Sequence, residues 1–123
     1  MNENPKYKEN VIVNKTFDFA ISIVKFSEQL DEKRKYVIAK QILKSGTSIG
    51  ANVREAQNAA SMPDFINKMK IAAKEMDETE YWLLLCEAAY NTAESKELLQ
   101  KLTEIRKIMN KIISTSKTKL YSN

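Results

Sequence analysis

Gln41-Ile42-Leu43-Lys44-Ser45-Gly46-Thr47-Ser48-Ile49-Gly50-Ala51-Asn52-Val53-Arg54-Glu55-Ala56 holds both glycines of a 123-residue chain, and its reading decides the fold. Ile42, Gly46, Ile49, Val53 and Ala56 recur at three- and four-residue steps, the period of a helix with one buried face. A glycine costs a helix interior roughly 1 kcal/mol relative to alanine. Gly46 and Gly50 lie one turn apart on one face, which predicts that another backbone approaches closely there. Asn52 and Glu55 follow at i, i+3 beside the stripe, as a polar pair at the margin of a core.

Outward from this stretch, the composition points the same way. Two Gly and two Pro in 123 residues, with abundant Lys, Glu, Ala, Ile and Leu, favour an all-α domain. The length is that of one domain with a single core. The longest apolar run, Trp82 to Cys86, is far short of a membrane span. Met1 to Asn10 is polar and lacks the apolar centre of a signal peptide. The single cysteine, Cys86, allows no intramolecular disulfide framework, so a cytoplasmic protein is expected. Set in Leu84-Leu85-Cys86, it reads as a small buried hydrophobe.

Residues 1–9 read as a flexible N-terminal tail, 10–118 as the bundle and 119–123 as a C-terminal tail. Helix one spans about 10–30, with Val13, Phe17, Ala20, Val24 and Ser27 on one stripe and Ile21, Ile23, Phe26 and Leu30 widening it. Asp31 is the expected cap of helix two, which runs over about 33–59. Ser61-Met62-Pro63-Asp64 combines a capping serine, an early proline and an acid three residues on, and opens helix three, about 62–91. Thr92 or Ser95 caps helix four, which runs to about Ser116. Short connections between four such helices predict an up-down-up-down antiparallel four-helix bundle.

Helices one and three carry more apolar surface than one bundle core can bury. Ile23 and Phe26 on the first and Trp82 and Leu85 on the third are therefore the expected oligomer interface.

Charge is uneven. Residues 31–60 carry six cations against three anions, 61–94 carry three against seven, and 95–123 carry seven against two. Helices two and four are thus basic, and helix three is acidic through Glu75, Asp77, Glu78, Glu80 and Glu87. Lys40 and Lys44 of helix two, with Lys101, Arg106, Lys107, Lys111 and Lys117 of helix four, are the candidate nucleic-acid-binding residues. The competing reading is a solvated face partly neutralised by helix three. The interleaved aromatic residues of a single-strand binder are absent from helix four until Tyr121, and no helix-turn-helix signature appears.

Catalytic constellations fail for want of parts. The chain contains no histidine, which excludes Ser-His-Asp, Cys-His and the Glu-x-x-His pairs of di-iron bundles. Gly46-Thr47-Ser48-Ile49-Gly50 lacks the Gly-Lys-Ser/Thr ending of a phosphate loop. Asn52, Glu55 and Glu78 are read as a structural polar network between helices two and three. No metal, no cofactor and no enzymatic activity are expected.

Ser45-Gly46-Thr47-Ser48-Ile49-Gly50-Ala51-Asn52-Val53-Arg54-Glu55-Ala56 resembles the Ser-Ile-x-x-Asn-Ile-x-Glu signature of a four-helix-bundle family. That family was first noticed in the intervening sequences of bacterial 23S ribosomal RNA genes. Asp64-Phe65-Ile66 and Glu78-Thr79-Glu80-Tyr81-Trp82-Leu83 are similar to its third helix, and the likeness spans about 14–115. Gln57, Asn58, Ala59 and Ala60 stand where the family tends to carry arginines. The resemblance implies a homopentameric ring. It also implies kinship with the accessory protein of diversity-generating retroelements, which works with a reverse transcriptase and nucleic acid.

Two functions follow from these readings. One is a basic, non-enzymatic oligomer that binds nucleic acid, structured RNA before DNA, through helices two and four. The other is a structural or adaptor ring with a protein partner and no nucleic-acid role.

Overall fold

The computed structural model describes residues 9–122 and contains four helices: α1 (Val11–Glu32), α2 (Tyr36–Ala56), α3 (Met62–Tyr90) and α4 (Ala93–Tyr121). They pack in cyclic order, α1 on α2, α2 on α3, α3 on α4 and α4 back on α1. This is the expected all-α, antiparallel four-helix bundle, with α2 diagonal to α4. Of the expected N-terminal tail only Glu9 lies within the described residues. At the other end α4 continues through Lys119 to Tyr121, past the expected stop at Ser116.

Local chemistry explains the helix ends. Asn10 caps α1, accepting from Val13 N at 3.3 Å, and its amide donates to Gln57 Oε1 at 3.0 Å. That second bond ties the start of α1 to the end of α2. Ser61 caps α3, accepting from Asp64 N at 3.2 Å, while Asp64 accepts from Ala60 N at 3.2 Å. Thr92 caps α4, accepting from Ser95 N at 3.3 Å.

The expected Asp31 cap is corrected: Asp31 lies inside α1, and the cap position of α2 is Lys35, which makes no side-chain bond. The turn is closed by backbone instead. Arg34 takes a left-handed φ of 61°, its N–H donates to Asp31 O at 2.9 Å, and Lys35 N donates to Leu30 O at 2.8 Å. Helix two also stops earlier than expected. Gln57, Asn58 and Ala59 donate to carbonyls three residues back, tightening the chain out of α geometry.

Ile23, Ile42, Ile49, Val53, Met69, Met76, Leu83 and Met109 are fully buried at the centre. The two glycines face α1. A Cβ on Gly46 would lie 2.7 Å from Ile23 Cγ2, and one on Gly50 would lie 3.2 Å from the carbonyl oxygen of Thr16. The close approach expected of them is therefore between α1 and α2. Cys86 is buried, and desolvation pushes its thiol up to about 11, which makes it inert.

Candidate nucleic-acid interface

Helix α4 decides where positive charge collects. After Glu104 the chain contains no acid, while Arg106, Lys107, Lys111, Lys117 and Lys119 follow. The antiparallel pairing sets this C-terminal half beside the N-terminal half of α3. Apart from Asp64, tied into the cap of its first turn, that helix carries its acids from Glu75 onward: Lys68, Lys70 and Lys74 precede Glu75, Asp77, Glu78, Glu80 and Glu87. Lys70 and Lys117 line one groove together. A segment-by-segment charge count hides Lys70, because the later carboxylates outnumber the early lysines.

The seven cations singled out from sequence do not share one face. Lys107, Lys111 and Lys117 are exposed on α4 and engage no carboxylate among the described residues. Arg106 is already occupied: Nη1 donates to Asp77 Oδ1 at 2.7 Å, and Nη2 lies 3.8 Å from Glu80 Oε2. Lys101 projects into the seam between α1 and α4, among Glu94, Glu97 and Glu104. Lys40 and Lys44 are exposed on α2, diagonally across the bundle from α4. Lys44 stands close enough to Glu75 to oppose the rise in pKa that burial and Glu78 impose on that carboxyl. The helix-two and helix-four cations expected to bind nucleic acid thus lie in two patches separated by the core.

The polar network is corrected too. Asn52 donates to Ser48 O of its own helix at 2.8 Å, since an amide on a helix reaches the carbonyl one turn back. Glu55 does meet α3, but through Lys68 at 3.8 Å, and Glu78 is exposed and paired with Glu75. Burial raises the Glu75 carboxyl above its ordinary value, and the neighbouring Glu78 raises it further. The buried polar link between α2 and α3 is a different pair: Thr79 donates to Ser45 Oγ at 2.9 Å, and Thr79 Oγ1 lies 2.7 Å from Glu75 O. Both residues sit on the apolar stripes, which masked them in the sequence.

Of the expected interface residues, Ile23 and Phe26 are 0% and 3% exposed and belong to the protein's own core. Trp82 is half-buried, packs against that core and meets Tyr81 edge to face at 5.4 Å. Leu85 is exposed, and with Tyr81 and Leu84 it forms an apolar ridge on successive turns of α3. A broad apolar arc on a helix does not reveal which of its edges turns inward. Here α1 turned Ile23, Phe26 and Leu30 inward, and left Phe17, Ala20 and Ile21 half-buried and Val24 exposed.

No group of three or more metal-ligating side chains gathers among the described residues, and no helix there is long and apolar enough to cross a membrane.

Fold and surface together define an antiparallel four-helix bundle with a lysine-rich pole. The chain belongs to the 23S rRNA-intervening sequence protein family, whose model matches residues 8–111. It is similar to a protein of unknown function from the S23 ribosomal protein family of Bacteroides thetaiotaomicron VPI-5482, whose crystal structure is known at 1.70 Å resolution. The two share 44% identity and a TM-score of 0.79, over 83% of this chain and 97% of that one. No curated protein matches the chain.

Proposed function

We propose that the protein is a non-enzymatic, oligomeric module that binds nucleic acid, structured RNA in preference to DNA, through the lysine-rich pole of α4. The observation that carries this reading is the run of exposed lysines after Glu104 that no carboxylate among the described residues neutralises. Phosphates supply the missing counter-charge, and their contacts release condensed cations. Lys40 and Lys44 stand outside this footprint, and Arg106 supports the fold instead.

The test is the dependence of RNA affinity on salt. Each phosphate contact adds roughly 0.7–0.9 to the slope of log affinity against log salt, so four engaged lysines give a slope near −3. Absence of binding at about 50 mM salt refutes the reading. Equal affinity for an RNA hairpin and its DNA counterpart removes the preference for RNA.

A second reading has its own support. Tyr81, Leu84 and Leu85 are 57%, 50% and 36% exposed on neighbouring turns, an apolar surface suited to a protein contact. We assign that ridge to a neighbouring copy of the chain, with a head-to-tail ring as the closed form. Five copies are implied only by the family resemblance. In the adaptor alternative the same ridge, or the ring it builds, receives an unrelated protein and the lysines have no ligand.

A further inference from the structure

Between the first turns of α3 and the last turns of α4 lies a groove of about 240 Å³. Its floor is apolar, from Ile66 and Leu120, and its rim carries Asn67, Lys70, Lys117 and Tyr121. No carboxylate among the described residues lines it. The two lysines come from different helices, so the antiparallel packing itself brings them together. Tyr121 is 80% exposed and lines the groove with Lys117.

We propose that this groove takes one unpaired nucleotide of an RNA: the Tyr121 ring stacks on the base, and Lys70 and Lys117 hold the flanking phosphates. The inference rests on the nucleic-acid reading above and deepens it by naming the form of RNA. Lysines alone grip any phosphate backbone, paired or not. An aromatic ring at a small apolar groove adds something only a base outside a helix can use, because paired bases hide their faces in the stack. The size agrees, since a volume of about 240 Å³ is below the usual range for a whole drug-sized ligand and suits a single planar group. The Asn67 side-chain amide can both donate and accept, which fits the edge of a base better than a phosphate.

The experiment is fluorescence anisotropy with two probes, a short single-stranded RNA and a blunt duplex RNA of equal length. It compares the unmodified protein with Tyr121→Ala, Tyr121→Phe and Lys111→Gln. Tyr121 is at the surface in the last helical turn, so its loss leaves the core untouched. Tyr121→Ala is expected to weaken the single strand by about 5-fold or more, the low end of what one stacked base contributes, with an unchanged salt slope. Tyr121→Phe keeps the ring and is expected to hold affinity. Duplex binding is expected to ignore both changes, whereas Lys111→Gln weakens both probes. Binding of the single strand that is indifferent to Tyr121→Ala overturns the nucleotide site and leaves the lysine-pole reading standing. An equal loss on both probes also overturns the site, because the ring would then act without an unpaired base. If the unmodified protein binds neither probe, the general reading falls and takes this site with it.

Discussion

Gly46 of α2 and Ile23 of α1 oppose one another across the bundle so closely that a Cβ on the glycine would lie 2.7 Å from Ile23 Cγ2 and 2.8 Å from Cγ1. These are the branch atoms of a fully buried side chain, not a mobile tip. Gly46→Ala is therefore expected to destabilise the fold by about 1–3 kcal/mol through overpacking, despite alanine's better helix propensity. Chemical denaturation measures it. In an Ile23→Ala background the same change should cost much less, and a strictly additive pair would show that the two residues do not collide. Gly50→Leu is also expected to destabilise, because the Thr16 carbonyl is backbone and cannot turn aside.

Ser45 and Thr79 form a buried side-chain hydrogen bond between α2 and α3. Thr79→Val leaves the Ser45 hydroxyl only its long 3.5 Å bond to Ile42 O and is expected to cost roughly 1–3 kcal/mol. Adding Ser45→Ala to that variant should recover much of the loss. Recovery of nothing in the double variant would mean the bond is not what Thr79 contributes.

Arg106 separates structure from binding. Its contact with Asp77 is partly solvated, so Arg106→Gln is expected to cost no more than about 1 kcal/mol and to leave RNA affinity nearly unchanged. Lys107→Gln and Lys111→Gln are expected to do the reverse, leaving stability alone and flattening the salt slope by about 1 each. A larger RNA defect from Arg106 than from either lysine would relocate the interface.

Glu75 sets a pH dependence. Its pKa is raised in the folded protein above the ordinary 4.5 by desolvation and by Glu78, so the native state binds its proton more tightly than the unfolded chain. Stability from this site is present at low pH and is lost as pH rises from about 4.5 through the raised value. Glu75→Gln is expected to raise the melting temperature at pH 7 and to remove this contribution to the fall. A variant that melts lower than the parent at pH 7 would show that the carboxylate form is the stabilising one.

The α3 ridge predicts assembly. Leu84→Lys with Leu85→Lys places two charges on surface that α3 leaves exposed, so the variant should stay folded and sediment as a monomer. An unchanged mass would exclude the ridge as the contact. Trp82→Lys is the poorer probe, because Trp82 packs on the protein's own core.

How much of this was legible in the sequence depended on whether one residue type had one job. Ser61 and Thr92 could be read as caps because a hydroxyl before a helical pattern has few other uses, and the glycine pair announced a close contact for the same reason. Asp31 misled because an acid near a helix end serves equally as an ordinary last-turn residue, and the left-handed backbone at Arg34 carries no side-chain mark. Ile23 and Phe26 misled because excess apolar width on a helix does not say which edge is outermost. The lysine pole was half legible. The acid-free end of helix four was visible, but Lys70 joins it only because α3 runs antiparallel alongside, and Lys40 and Lys44 leave it only because α2 is diagonal to α4.

The bond from Asn10 to Gln57 and the groove shared by Pro63, Lys117 and Tyr121 set the entry of α1 and the exit of α4 at the same pole of the bundle. Segments joined ahead of α1 or after α4 are therefore anchored at the lysine-bearing pole. Under the proposed function an affinity tag there would compete with RNA for the lysines, and a polyanionic one would mask them outright. The opposite pole, where Arg34 and Asn91 turn with φ of 61° and 50°, is the place for a label or an inserted domain. A graft in either turn, bracketed by glycines that adopt those angles without strain, leaves the basic pole bare.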